Sequence, residues 1–254
     1  RGEPWLYDRA QTFYNGYIRT GRLDFLREAH RAAQFYMKQV YPAPAEGDST
    51  PARFRGYFKL SNGPKARYLD PKYSYNECLA TLYWMTGDTE VLSHLPNVTS
   101  ANLRAVNMLK RTHTKSGLSG WTERNAANAL LALVFEYEVT GDPEVEANLK
   151  TAVDVLYKMQ TEPPNGWPPM GAFLNYVTEA GTTAIPSWSP WMSSLLAHAL
   201  LRAYHTLGDE RIPGMLVRLA QAELDFGVRS YKARDGSPIR IPRYVAAGTG
   251  DPTV

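Results

Sequence analysis

A single cysteine, Cys78, excludes an internal disulfide framework and any multi-cysteine metal site. It lies in an apolar helical run, where a small buried residue is expected rather than a nucleophile. No apolar stretch approaches the roughly 18 residues of a membrane-spanning helix. Charge excess is equally scarce: 28 Lys and Arg against 25 Asp and Glu leave a formal +3. With no Lys/Arg run and no zinc-finger spacing, that balance gives no footprint for nucleic acid. No phosphate-cradling glycine loop, dinucleotide fingerprint, His-Glu-x-x-His or nucleophile elbow occurs, so neither a cofactor nor a metal is expected. Asn97-Val98-Thr99 matches a glycosylation sequon, a pattern short enough to arise by chance.

What remains is an ordinary globular composition with one oddity. Hydrophobic residues make up 44% and charged residues 21% of 254, enough for one large domain with a substantial core. The oddity is aromatic: 16 Tyr, 6 Trp and 8 Phe. A tyrosine-rich helical core accounts for many of these rings, and a groove for a flat hydroxylated ligand such as a sugar accounts for others. The opening Arg-Gly-Glu-Pro and the loose Gly/Pro/Thr close over 248–254 suggest a processed or excised piece of a longer protein.

The chain repeats a corner. Tyr17-Ile18-Arg19-Thr20-Gly21, Tyr83-Trp84-Met85-Thr86-Gly87-Asp88, Tyr137-Glu138-Val139-Thr140-Gly141-Asp142 and Tyr204-His205-Thr206-Leu207-Gly208-Asp209 each place Tyr four residues before Gly. The glycines are 66, 54 and 67 residues apart. A glycine just past a helix adopts the left-handed conformation that closes orphan carbonyls, and the Asp after it can cap the next helix. Each unit is therefore expected to be helix, tight turn, helix.

Apolar spacing on either side agrees. Residues 126–137 are apolar nearly all round, whereas Val145, Leu149, Ala152, Val153, Leu156 and Met159 form one stripe. The fourth unit follows the same plan, with helical spacing expected to run through Phe226. First helices should then be inner and second helices outer. In the second unit Pro96 is expected to break the second helix, which restarts near Thr99 and runs to Arg111. The predicted fold is all-α: an incomplete α/α toroid of about four helix hairpins over residues 1–229, with long loops on one rim. Residues 230–254 form an extended C-terminal segment that contacts or continues into another part of a longer protein. A tetratricopeptide-like solenoid has units of about 34 residues, too short for these spacings. Loops are expected at 42–70, with a short strand at Tyr57-Phe58-Lys59-Leu60, at 161–190, and after 230, with an extended stretch at Ile239-Arg240-Ile241.

These loops should crowd the rim where inner helices begin, and the chemistry-bearing residues gather at those starts. They are Trp5-Leu6-Tyr7-Asp8-Arg9, Lys72-Tyr73-Ser74-Tyr75-Asn76-Glu77, Trp121-Thr122-Glu123-Arg124-Asn125 and Trp188-Ser189-Pro190-Trp191. Polar groups on otherwise apolar helices need partners or a wet cavity. Glu77, Glu123 and Asp8 are the candidate catalytic acids, with Tyr75 and His113 as candidate bases. Arg9, Asn76, Arg124 and Asn125 are candidate substrate ligands, and Trp167 and Trp188 candidate stacking platforms. Each has a structural alternative: Asp8 and Glu123 suit helix N-termini electrostatically, and the arginines can pair with them. His198, among Leu and Ala, is expected in the core.

These segments, together with Pro190-Trp191-Met192 and Leu200-Leu201-Arg202-Ala203-Tyr204, resemble the helical-toroid domains of carbohydrate-active enzymes, found in polysaccharide lyases and glycoside hydrolases. The resemblance spans 5–228 in style and is architectural, so it implies fold more than chemistry. It implies a polysaccharide or oligosaccharide ligand and a periplasmic or extracellular location, with other domains of a longer chain as further partners. A lyase needs a base beside a uronic carboxylate and a group to neutralise it, for which Tyr75, His113, Asn76, Arg124 and Asn125 are the right types. A hydrolase needs two carboxylates, for which Glu77 and Glu123, then Asp8, are available. The rival expectation is a non-catalytic helical scaffold that binds a partner or itself. A sugar epimerase on the same fold would want paired histidines, and the five here are scattered.

Overall fold

The computed structural model describes residues 5–43, 45, 52–59, 70–106, 108–109, 122–162, 169–173, 187–244 and 246–247. The expectations for His113, Trp121 and Trp167, for Leu60, for residues 107, 110 and 111 and for 248–254 lie outside them. Among the described residues the chain is all-α with little strand. Eight helices follow in order: α1 (Arg9–Thr20), α2 (Leu23–Gln39), α3 (Glu77–Thr86), α4 (Val91–Val106), α5 (Glu123–Thr140), α6 (Pro143–Thr161), α7 (Pro190–Leu207) and α8 (Arg211–Ala222). Four short strands are β1 (Ser187–Trp188), β2 (Val228–Lys232), β3 (Pro238–Pro242) and β4 (Ala246–Ala247). Antiparallel pairing joins β1 to β4 and β2 to β3.

The four corners form as the repeat predicts. Gly21, Gly87, Gly141 and Gly208 all have φ between 64° and 70°. Each glycine N–H donates to the carbonyl of the Tyr four residues earlier, at 2.7–2.8 Å. Asp88, Asp142 and Asp209 then accept from the N–H groups of Glu90, Glu144 and Arg211. Threonine is a further working part of the corner. Thr20, Thr86 and Thr140 donate Oγ1–H to the carbonyl four residues back and accept the N–H two residues on. The hydroxyl thus satisfies one group that the helix end leaves open and one that the turn does.

Three local expectations are corrected. Pro96 sits inside α4 without breaking it. It is the sixth residue of the helix, which opens with three-residue bonds from Val91 to Asp88 and Leu92 to Thr89, so little of the α ladder precedes it. Helix α1 is not enclosed: only Ala10, Gln11 and Tyr14 are buried, a single stripe, while α5 buries residues around most of its circumference. The expected strand at 57–60 reduces to one bridge between Phe58 and Val40. The extended stretch at Ile239–Ile241 is present, within β3.

The chain divides into two compact units, one of Arg1–Ala105 with Leu131–Asn148, the other of Val106–Leu130 with Leu149–Val254. In the first, Tyr14, Ala29, Ala33, Tyr36, Met37, Val40, Phe58, Leu79, Leu82 and Leu95 make one buried cluster. The segment leading into α3 is pinned to it through buried hydrogen bonds. Tyr36 Oη donates to Tyr73 O at 3.2 Å and accepts from Tyr75 N at 2.6 Å, and the Asn102 amide donates to Ser74 O. In the second unit Ala172, Trp188, Ala222 and Ala246 cluster with Phe226 against them. Gln160, 1% exposed, ties three segments together there. Its amide donates to Gly171 O and Met215 O, and its oxygen accepts from Arg218 Nε.

Candidate functional site

The predicted site residues fall into two groups, one in each unit. In the first unit Asp8 is the N-cap of α1 and accepts from Gln11 N at 2.9 Å. Its other oxygen accepts from Cys78 N at 3.1 Å, one residue into α3. Burial pushes the Asp8 carboxyl up to about 6, partly offset by those N–H groups. The same burial, reinforced by the Asp8 charge, raises the Cys78 thiol well above its usual range, so it stays protonated and inert.

Tyr75 and Asn76 are occupied by the protein itself. The Tyr75 hydroxyl lies among the carbonyls of Trp5, Leu6 and Lys72. The Asn76 amide donates to Leu95 O, Thr99 Oγ1 and Ala132 O, and the residue is 2% exposed. Neither a free base nor a free sugar ligand is what the structure makes of them; both close the entrance of α3. Arg9 is exposed, with its guanidinium over the rings of Trp5 and Phe13 at 5.9 and 5.7 Å. Glu77, at the first position of α3, is half-buried.

In the second unit Glu123 opens α5 and is fully buried. Its Oε1 accepts from Ser189 N, the residue that caps α7, at 2.7 Å. Asn125 is buried beside it, its N–H donating to Thr122 Oγ1. Arg124 places its guanidinium 5.7 Å from the Trp191 ring, and Tyr244 stacks on that ring at 6.1 Å and 26°. Trp188 is 0% exposed, packed edge-on against Phe226. The stacking platform expected of Trp188 is therefore not there, because burial leaves no ring face open. His198, expected in the core, is exposed.

Residues outside the predicted set carry the most distinctive chemistry. A cavity of about 580 Å³ lies along α7 and α8, lined by Pro190, Trp191, Ser193, Ser194, Leu219 and Glu223 among others. Helix α8 ends at Ala222, and Glu223–Gly227 continues as a single π-helical turn, a feature frequent at functional sites. That turn presents Glu223 to the cavity. Burial lifts its carboxyl to about 7, with the Trp188 side chain offsetting part of the rise. Gly227 is part of the arrangement, since a Cβ at that position would collide with Glu223 Oε2. Ser193 Oγ and the Trp191 indole nitrogen, both buried, find no partner among the described residues. A carboxyl that is still about half protonated at neutral pH, in a cavity with an aromatic ring and spare polar atoms, can donate its proton to a bound ligand.

In the first unit a second cavity, about 400 Å³, is lined by Thr99, Arg104, Glu136, Asp142 and Glu144 among others. Burial raises the Glu136 carboxyl, and a hydrogen bond from Thr99 opposes the rise. Among the described residues no group of three His, Cys, Asp or Glu is placed to hold a metal ion. No helix among them is long and apolar enough to cross a membrane.

Fold and site together define a helical protein of four Gly-cornered helix pairs with an aromatic and carboxyl-bearing cleft in its second unit. No protein-family model matches the chain, and no curated protein matches it in sequence.

Proposed function

We propose that the chain is a carbohydrate-active domain, an incomplete α/α toroid of helix hairpins, with a polysaccharide-cleaving or polysaccharide-binding cleft at the start of α7. The observation that carries this reading is Glu223, a carboxyl lifted to about 7 beside Trp191 in a cavity of about 580 Å³. An acid whose protonated form is well populated near neutral pH is what protonation of a glycosidic leaving oxygen requires. Trp191 brings an aromatic ring to the cleft wall, and Ser193 and Ser194 bring hydroxyls, the mixture of apolar and polar groups that a sugar ring meets. Arg124 brings a cation to the same ring, which suits a uronic carboxylate in the lyase version of the chemistry.

This reading gives Glu223 the acid role that the sequence offered to Glu77 and Glu123, with Asp8 in reserve. Neither Glu123, fully buried on Ser189 N, nor Glu77 in the first unit lines the Glu223 cavity, and whether Glu123 adds chemistry to its structural role is a matter for substitution. A polysaccharide ligand goes with a periplasmic or extracellular location. The test is a panel of acidic and neutral polysaccharides, with absorbance from unsaturated ends and reducing-sugar release followed in parallel. Turnover lost in Glu223→Gln with the fold retained supports the reading, and no turnover or binding with any polymer overturns it.

One observation favours a second reading, a partner-binding scaffold. Pro190, Ala197, Leu216, Leu219, Leu224 and Val228 make most of the cleft wall apolar. A cleft of that kind would take an apolar peptide segment, and oligosaccharides would leave Trp191 fluorescence unchanged.

A further inference from the structure

The hairpin that follows the cleft is almost entirely exposed and accounts for the chain's net positive charge. From Val228 to Tyr244 there are five Lys or Arg and one acid, a net +4 in 17 residues, which leaves the rest of the chain at −1. Arg229, Lys232, Arg234 and Arg240 are exposed and form no ion pair or hydrogen bond through their side chains among the described residues. The one acid, Asp235, is exposed on the loop and bonded within it. Its Oδ1 accepts from Ser237 N and Ser237 Oγ, which holds the carboxyl below its usual range.

The pairing register sets the faces. Arg229 opposes Ile241 and Tyr231 opposes Ile239, so these four share one face; Ser230 with Arg240 and Lys232 with Pro238 share the other. Both faces thus carry a cation, and one adds an exposed aromatic ring and two exposed isoleucines. Protection of a free strand edge needs a charge or a proline per strand, and Pro238 and Pro242 already serve β3. Five cations exceed that need. The base of the hairpin is also the wall of the cleft: Val228 and Pro242, paired with each other, both line the 580 Å³ cavity.

We infer that the β2–β3 hairpin is a docking arm for a carboxylated, polyanionic polysaccharide, which it guides along the surface that leads into the cleft. Arginine forks match carboxylates in bidentate geometry, and exposed cations of one sign raise the local concentration and the capture rate of a polyanion. The inference rests on the polysaccharide reading of the cleft and narrows it to acidic chains.

Binding of the full chain to polygalacturonate is measured by calorimetry at low and moderate salt, beside the fully methyl-esterified polymer, an oligo-dT strand and phosphatidylserine vesicles. The expected result is salt-sensitive binding to polygalacturonate, weak binding to the ester, and affinity about tenfold lower in the Arg229→Gln/Lys232→Gln/Arg240→Gln variant. Arg234→Gln at the loop tip, which touches no strand, is a second variant and should weaken binding by about two- to threefold. Equal binding to the ester, unchanged affinity in both variants, or tighter binding to DNA or vesicles overturns the inference. A chain that cleaves only neutral polymers and ignores polygalacturonate overturns the arm and leaves the cleft reading standing. A chain that binds polygalacturonate through the hairpin but turns over nothing, with Glu223→Gln indistinguishable from wild type, overturns the catalytic cleft and leaves the arm.

Discussion

The Asp8 carboxylate accepts the backbone N–H of Cys78 at 3.1 Å while its other oxygen caps α1 through Gln11 N. One side chain thus closes the starts of two helices that are separated by nearly 70 positions in the chain. A helix N-terminus leaves N–H groups without partners, and a carboxylate there is favoured twice, by hydrogen bonding and by the helix dipole.

Asp8→Ala should therefore cost about 1–3 kcal/mol, since it removes a cap and strips the acceptor from a second helix start. Chemical denaturation at neutral pH measures this. A loss within the scatter of surface substitutions would show that neither N–H depends on it.

The pH dependence of the same residue has a definite sign. The folded Asp8 carboxyl lies at about 6, above the roughly 3.9 of an unfolded chain. Its contribution to stability is complete below pH ~4 and is lost as pH rises through about 6. The melting temperature of Asp8→Asn, compared with wild type across that window, should lack this downward slope. Parallel curves for the two proteins would refute the assignment.

The corner glycines make a graded set. At Gly87 or Gly208 an added Cβ meets nothing within 4 Å, so Ala there pays only for the left-handed backbone, about 1 kcal/mol. At Gly171, also at positive φ, the added atom meets Arg218 O at 2.5 Å, backbone that cannot swing aside. Gly171→Ala should lower the thermal midpoint by clearly more than either corner substitution does. Equal shifts would mean the Gly171 contact relaxes freely.

The corners were legible because their information is local: Tyr, Thr, Gly and Asp act on groups within four residues of themselves. The continuity of α4 was not, because a proline's effect depends on how much helix precedes it, and α4 opens only at Val91. Trp188 looked like a loop-borne platform because a Pro/Gly-rich neighbourhood says nothing of what covers the ring; Phe226 and the β1–β4 pairing do that from far along the chain. Glu223 escaped notice for a related reason. An apolar spacing of 3.6 residues runs smoothly through Leu219 and Phe226, and one extra residue per turn leaves no mark on composition.

Glu123 separates structural from chemical roles. Its Oε1 holds the fully buried Ser189 N–H at 2.7 Å. Glu123→Ala leaves that donor without its acceptor and should cost about 2–3 kcal/mol. Glu123→Gln keeps an oxygen in place and should melt close to wild type, while losing turnover if the carboxylate is needed for chemistry. Wild-type turnover in a well-folded Glu123→Gln protein would remove the residue from the mechanism.

Glu223→Gln carries the sharpest test of the cleft. In the folded protein the carboxyl lies at about 7 because burial disfavours its charge, whereas an unfolded glutamate titrates near 4.3. Its stabilising contribution is intact below about pH 4 and disappears as pH rises through 7. Above that, the wild type carries an unfavourable half-buried charge that glutamine does not. Near pH 8 the variant should therefore be the more stable protein, by about 1–2 kcal/mol once solvent screening at a half-buried site is allowed for. A general acid predicts the opposite ranking for turnover. Wild-type kcat should fall as pH rises past about 7, and the variant should be slower by about 10²–10⁴-fold throughout. A variant that is both more stable at high pH and equally active would confirm the buried titration and end the catalytic role. One that is less stable at high pH would end both.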